Sequence, residues 1–293
     1  MIGVDWGTTS FRAFRLTGDG IRDRRASPRG VQSVQDGRFG DTLREEIGPW
    51  LASGERHVLL SGAIGGERGW MTAPDLACPA GPAEIAAALV DIPFDWAEVK
   101  LVPALSCTEA EGAVEVMRDA TLILGALGQI GTGLACVPGR RTVWARIEAG
   151  RIARFATHLT GEAFTAWRTL AFPDRILRDG PATDRDAFDM GVARAAQPGG
   201  LLHHLAWARA LALSGKPADA AAGSLLWGIL IGHEVRAALA ENAGTPMVHV
   251  IGAPDLTALY ARAIEAAGGM AERLNGEAVA RGLALIGAAA RWG

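Results

Sequence analysis

The 293 residues carry a net charge of −3, with 49% hydrophobic and 21% charged residues. That is enough chain for one large α/β domain or, better, two lobes of about 150 residues each, and the composition excludes a disordered chain. No cluster of Lys and Arg with interleaved aromatics is present, which argues against nucleic acid or anionic membrane as a partner.

In chain order, residues 2–6 form a short apolar run and Gly7–Ser10 a small polar turn. Phe11–Leu16 then alternates at period two, which predicts a β-hairpin. Gly18-Asp19-Gly20 supplies the next turn, and a third antiparallel strand follows. The opening MIGVDW has no basic flank and no apolar run reaches about 18 residues, so a cytoplasmic protein is expected. Phe39–Ala52 has helical spacing, His57–Ser61 reads as a buried strand, Ala83–Val90 as a helix and Val99–Leu105 as a strand. A helix over Asp119–Gln129 closes this half.

The opening pattern then returns. Leu134–Val137, a turn at Pro138–Thr142, Val143–Ile147, a turn at Ala149-Gly150 and Ile152–Leu159 repeat the strand-loop-strand-turn-strand order about 130 residues later, as in an internal duplication. The remainder is mostly helical up to a strand at Met247–Ile251, which runs into Gly252-Ala253-Pro254 and a helix over Leu256–Ala267. A last helix spans Glu277–Ala290. Cys78, Cys107 and Cys136 are odd in number and far apart, so reduced thiols are expected rather than disulfides or a zinc site. Lysine occurs only at Lys100 and Lys216.

An acidic residue at a strand end followed by Gly-Thr-Thr-Ser suits phosphate. Gly7 permits close backbone approach, the N–H groups and hydroxyls of Thr8, Thr9 and Ser10 can bind phosphate oxygens, and Asp5 can hold magnesium through water. An ordinary hydrophilic turn is the alternative. In the second hairpin loop, Gly139–Thr142, Arg140 and Arg141 place guanidinium groups where anionic oxygens would lie. Solvated surface arginines are the competing reading there.

Ordered segments now carry a resemblance: DWGTTSFRAF at 5–14, SGAIGGERGW at 61–70, CPA at 78–80, VMRD at 116–119, LGAL at 124–127, CVPG at 136–139, THLTGEAF at 157–164, GILIGHEV at 228–235 and IGAPDLTALYARAIEAAG at 251–268. The chain resembles the 2-dehydro-3-deoxygalactonokinase family, within the superfamily of ATPases that includes actin and hexokinase. The resemblance implies an α/β fold of two ribonuclease-H-like lobes, the actin-like ATPase fold, with an interlobe nucleotide cleft. It implies an N-terminal lobe over 1–130, completed by the helix in 277–293, and a nucleotide-binding lobe over 131–276.

By the same resemblance Asp5–Ser10 is the first phosphate motif, Pro138–Thr142 the second, and Gly252-Ala253 the loop under adenosine. ATP and Mg2+ are the implied cofactors, and a small sugar acid is the implied partner; a homodimer is left open. In the hexokinase-like group the catalytic Asp begins the helix before the second phosphate hairpin, and Asp119 holds that place, although a simple helix cap is the alternative. The resemblance directs the sugar acid to Gly65, Gly66, Glu67 and Arg68, with Arg68 or Arg118 as partner for its carboxylate. Two segments depart from the family pattern: MRDATL is one residue shorter and one carboxylate poorer than the usual MRGEETQ-like run, and PGRRTVW replaces a PGTHSKW-like loop. Transfer of the ATP γ-phosphoryl group to the 6-hydroxyl of 2-dehydro-3-deoxygalactonate is the expected activity. A kinase of another sugar or sugar acid, and a sensor that has lost turnover, are the alternatives.

Overall fold

Alternating side chains build the opening of the molecule: Phe11, Ala13 and Leu16 point inward while Arg12 and Thr17 face out along one strand. The computed structural model describes residues 1–18, 20–171, 184–214, 219–244, 247–275 and 277–293. Asp19, in the second predicted turn, and Lys216 lie outside them. The described chain divides into two compact units, one comprising Met1–Thr132, Ile147–Arg154 and Gly276–Gly293, the other Gly133–Arg146 and Phe155–Asn275.

In the first unit, β1 (Ile2–Trp6), β2 (Phe11–Thr17) and β3 (Gly20–Ser27) form an antiparallel meander. Beyond β1 lie β4 (His57–Ser61), parallel to it, then β7 (Glu98–Leu101) and the edge strand β6 (Val90–Ile92). The resulting order is β3-β2-β1-β4-β7-β6. Helix α1 (Phe39–Ala52) buries Phe39, Leu43, Ile47 and Trp50 in the same core as Ile2, Val4 and Trp6. Trp6 is a core residue, wholly buried, its indole N–H donating to the Arg29 carbonyl at 2.9 Å.

A small second sheet joins β5 (Leu76–Ala77), β8 (Leu105–Thr108) and β9 (Val114–Met117). The strand expected over Val99–Leu105 is divided between β7 and β8, because Pro103 has no N–H to continue a ladder. The helix expected over Ala83–Val90 is shorter, α2 (Pro82–Ala87), and Val90 begins β6.

The expected helix over Asp119–Gln129 is two short ones, α3 (Ala120–Leu124) and α4 (Leu127–Ile130), separated at Gly125-Ala126. The cause is a close crossing with the last helix, α10 (Ala278–Ala289). A Cβ on Gly125 would lie 1.7 Å from the Ala278 carbonyl oxygen, and one on Gly282 1.9 Å from that of Thr121. Only glycine on both helices lets the backbones touch there.

A second large sheet, to which the second unit gives all but Ile147–Arg154, repeats the scheme with β12-β11-β10-β13-β14, where β10 is Gly133–Val137, β11 Thr142–Glu148, β12 Arg151–His158, β13 Met247–Gly252 and β14 Met270–Asn275. Strands β10, β13 and β14 run parallel. In both sheets the meander strands precede parallel strands added beside the first, which is the ribonuclease-H-like order. Helices α5 (Thr160–Ala171), α6 (Arg185–Ala195), α7 (Gly200–Leu213), α8 (Asp219–Glu241) and α9 (Pro254–Ala266) complete it. Its core gathers Trp144, Phe164, Phe188, Ile229, Val250 and Tyr260. Cys107 and Cys136 are buried and Cys78 half-buried, all as free thiols. Among the described residues no helix is long and apolar enough to cross a membrane.

Candidate functional site

The hairpin register assembles the first cluster. Trp6 and Phe11 pair across the four-residue Gly7–Ser10 loop, so Asp5 and Arg12 are the next partners along the ladder. Arg12 Nε donates to Asp5 Oδ2 at 2.8 Å, and its terminal nitrogen bonds the same oxygen. Within the loop the Gly7 N–H bonds the Ser10 carbonyl at 2.9 Å, leaving Thr8, Thr9 and Ser10 exposed.

The space beside Gly7 stays open, and other glycines hold the loop against the protein. At Gly7 a Cβ would meet only Ser10, at 3.3 Å. At Gly30 it would lie 2.4 Å from the Thr8 carbonyl oxygen, and the following N–H groups of Val31 and Gln32 bond the carbonyls of Gly7 and Thr8 at 3.0 and 3.1 Å. Gly62, with φ +95°, brings the end of β4 to 2.9 Å from the Trp6 carbonyl oxygen, measured from where a Cβ would stand. The loop is therefore clasped by two glycines on separate segments.

Gly62 also opens the turn that carries Gly65, Gly66, Glu67 and Arg68. Bonds from Gly66 N–H to the Ala63 carbonyl (3.0 Å) and from Trp70 N–H to the Ile64 carbonyl (3.0 Å) close it, and Glu67 and Arg68 remain exposed. Arg118, arriving from β9, lays its Nε 3.3 Å from the Cβ position of Gly66. Among the described residues that Nε is buried and without a hydrogen-bond partner, an arrangement that costs stability unless a ligand completes it.

Asp119 follows at the N-cap position of α3 but makes no side-chain cap bond. The carboxylate is recessed rather than enclosed. Solvent reaches it, yet the surrounding protein raises its pKa to about 6 through desolvation, with the Asp5 charge adding and Arg12 and Arg118 opposing. Asp5, Arg12, Arg118, Asp119 and the Gly62–Arg68 turn are thus one neighbourhood in the first unit. A carboxyl held near 6 and open to solvent is poised to accept a proton at neutral pH.

In the second unit the loop between β10 and β11 leaves Arg140 and Arg141 exposed. The first turn of α5 holds it: the Glu162 N–H bonds the Arg140 carbonyl at 3.0 Å, and Glu162 Oε1 takes Arg141 Nε at 3.1 Å. Gly161 makes this possible, since a Cβ there would stand 2.6 Å from the Gly139 carbonyl oxygen. Gly252, at φ +151°, brings its own loop alongside, its Cβ position 3.7 Å from the Pro138 carbonyl oxygen, with Ala253 exposed.

Thr142 departs from expectation. Its side chain is wholly buried and its hydroxyl shares a 2.7 Å hydrogen bond with Tyr260, so it anchors the loop from beneath instead of offering an oxygen to phosphate. The cause is its place as the first residue of β11, where the chain enters the core. His233, set in a helical run, packs against a neighbour: its Nε2 lies 2.9 Å from Nδ1 of buried His204.

A family model described as 2-keto-3-deoxy-galactonokinase matches residues 5–286. A protein of Rhizobium meliloti named a probable 2-dehydro-3-deoxygalactonokinase is 31% identical over 271 residues, covering 90% of this chain and 89% of that protein. The 2-dehydro-3-deoxygalactonokinase of Escherichia coli is 27% identical over 271 residues, covering 91% and 90%. The crystal structure of a candidate 2-dehydro-3-deoxygalactonokinase from Sinorhizobium meliloti superposes with a TM-score of 0.85 at 29% identity, covering 98% of this chain and 97% of that one.

Proposed function

The chain belongs to the 2-keto-3-deoxy-galactonokinase family, a family of carbohydrate kinases, and from that premise we propose that it transfers the γ-phosphoryl group of ATP to the 6-hydroxyl of 2-dehydro-3-deoxygalactonate. The observation that carries the reading is Asp119, an uncapped carboxylate at the start of α3 raised to about 6. In its ionised form it accepts the proton of the sugar hydroxyl as that oxygen attacks the γ-phosphorus, and ADP departs with the electrons of the broken bond.

The other residues position and neutralise. The N–H groups and hydroxyls of Thr8, Thr9 and Ser10 take phosphate oxygens, Arg140 and Arg141 offset charge on the phosphates, and the Gly252-Ala253 loop lies under adenosine. Arg118, with its orphaned Nε, pairs with the carboxylate that distinguishes a sugar acid from a neutral sugar. Exposed Arg68 and Glu67 lie on the same turn, available to acceptor hydroxyls.

The donor set beside Asp119 fits magnesium. Asp5 and the loop hydroxyls are hard oxygens, and this ion commonly takes one or two carboxylates and leaves the remaining positions to water and substrate phosphates. Asp5, whose Oδ2 already accepts from Arg12, would hold the ion through water. Bound there, magnesium supplies charge neutralisation to the phosphates of the nucleotide.

A coupled ADP-release assay over a panel of 2-keto-3-deoxy sugar acids and their neutral counterparts tests the proposal. Turnover is expected with 2-dehydro-3-deoxygalactonate, and no turnover of any sugar acid by the wild-type chain overturns it.

A further inference from the structure

Glu234 lies in α8 between His233 and Val235 and is buried to 5% exposure in the second unit. A buried carboxylate is costly unless donors surround it, and this one is surrounded. The Trp144 indole N–H donates to Oε1 at 2.7 Å and the Tyr260 hydroxyl to Oε2 at 2.8 Å, both fully within the core. The Thr160 hydroxyl bonds it as well. Since the single Tyr260 proton goes to Glu234, the 2.7 Å contact with Thr142 must be donated by Thr142.

These donors are not scattered. Thr142 ends the loop that carries Arg140 and Arg141, and Trp144 lies two residues further along β11. Thr160 begins α5, whose next residues, Gly161 and Glu162, grip the same loop through the Arg140 carbonyl and the Arg141 side chain. Tyr260 belongs to α9, which starts just after Gly252-Ala253. Both supports of the arginine loop, one at its end and one on its flank, therefore converge on one carboxylate, together with the helix that follows the neighbouring loop.

We propose that Glu234, acting through Tyr260 and Thr142, is a positioning residue that fixes the Arg140–Arg141 loop for the ATP phosphates. The inference rests on the kinase reading above. Glu234 touches no reactant; it sets where the two guanidinium groups stand. An apolar side chain would fill the same space without orienting three donors, and a hydrogen-bonded network of this kind specifies one geometry where packing alone tolerates several.

The test measures ATP binding to the full chain by calorimetry, without turnover, alongside steady-state KM for ATP and for the sugar acid. Tyr260→Phe keeps the ring and removes only the hydroxyl; Glu234→Gln keeps the shape and removes one acceptor. Each is expected to weaken ATP binding and raise the KM for ATP roughly tenfold, the loss of about one network bond, with the KM for the sugar acid within about twofold. In a background carrying both Arg140→Ala and Arg141→Ala the same substitutions are expected to add less than about twofold, because the loop they position no longer carries either charge.

Unchanged ATP binding in both variants overturns the proposal. So does a full tenfold loss that persists when Arg140 and Arg141 are both replaced by Ala, or a rise in both KM values that merely tracks a lowered melting temperature. Should Glu234→Gln fail to fold, Tyr260→Phe decides the matter. A wild-type chain that binds no ATP overturns the kinase reading and this inference with it, whereas binding and turnover by the wild type with indifferent variants overturns this inference alone.

Discussion

Replacing Asp119 by Asn removes the proton acceptor while keeping the size of the side chain. General-base catalysis of this kind contributes about 10²- to 10⁴-fold, so kcat should fall by that factor with ATP affinity retained. The raised pKa of about 6 sets the wild-type pH profile. Only the ionised carboxylate accepts a proton, so kcat/KM for the sugar acid should be flat above about pH 7 and lie roughly tenfold lower at pH 5. Neighbouring charges give the midpoint a direction: the Asp5 anion raises it, so Asp5→Asn should move it to lower pH, while the Arg118 cation lowers it, so Arg118→Leu should move it to higher pH. The sign for stability is opposite to that of a salt-bridged carboxylate. A folded-state value above the ordinary 3.8 means that ionisation opposes folding, an effect that appears as pH rises from about 4 to about 6. Asp119→Asn should thus melt no lower than wild type at pH 7.5, and any advantage should vanish below about pH 4. Steady-state kinetics and thermal melts across pH 4–9 read both. An activity midpoint near 4 that ignores Asp5→Asn, or an Asp119→Asn enzyme within tenfold of wild type, would refute the reasoning.

Arg118→Leu should raise the KM for the sugar acid about 10- to 100-fold, the range of a charge-assisted bond, and leave a neutral sugar of the same skeleton less affected; paired KM measurements check it. Gly62→Ala forces a Cβ to within 2.9 Å of the Trp6 carbonyl at φ +95° and should cost about 1–3 kcal/mol in chemical denaturation. Gly161→Ala should push α5 from the Gly139 carbonyl and raise the KM for ATP while sparing that for the sugar acid.

Legibility differed between elements for physical reasons. The meander strands show period-two alternation and helix α1 its 3.6-residue spacing, and both lie within a residue of where those periods place them. Strand β14 has no such trace: Glu272 and Arg273 are exposed and only Leu274 among its described side chains is fully buried, so an edge strand held by parallel pairing looks like a polar linker. The break between α3 and α4 comes from a contact with α10, over 150 residues away in sequence, which no local window contains. In the site, the Asp5–Arg12 pair was accessible from the hairpin alone, since a four-residue loop between Trp6 and Phe11 dictates it. Thr142 beneath its loop and Glu234 at the centre of its network depend on packing between helix and sheet, and Glu234, between His233 and Arg236 in sequence, carries no local sign of burial.

The glycine crossing of α3 and α10 bears on how the molecule is made. Asp119 stands at the head of a helix of five residues, too short to persist by itself in water, and the surface it leans on is supplied by residues 278–289. Those residues leave the ribosome only after every strand and helix of the second unit. The first unit, although it begins the polypeptide, cannot be completed until residue 289 has been made, and the helix that Asp119 heads lacks that support until then.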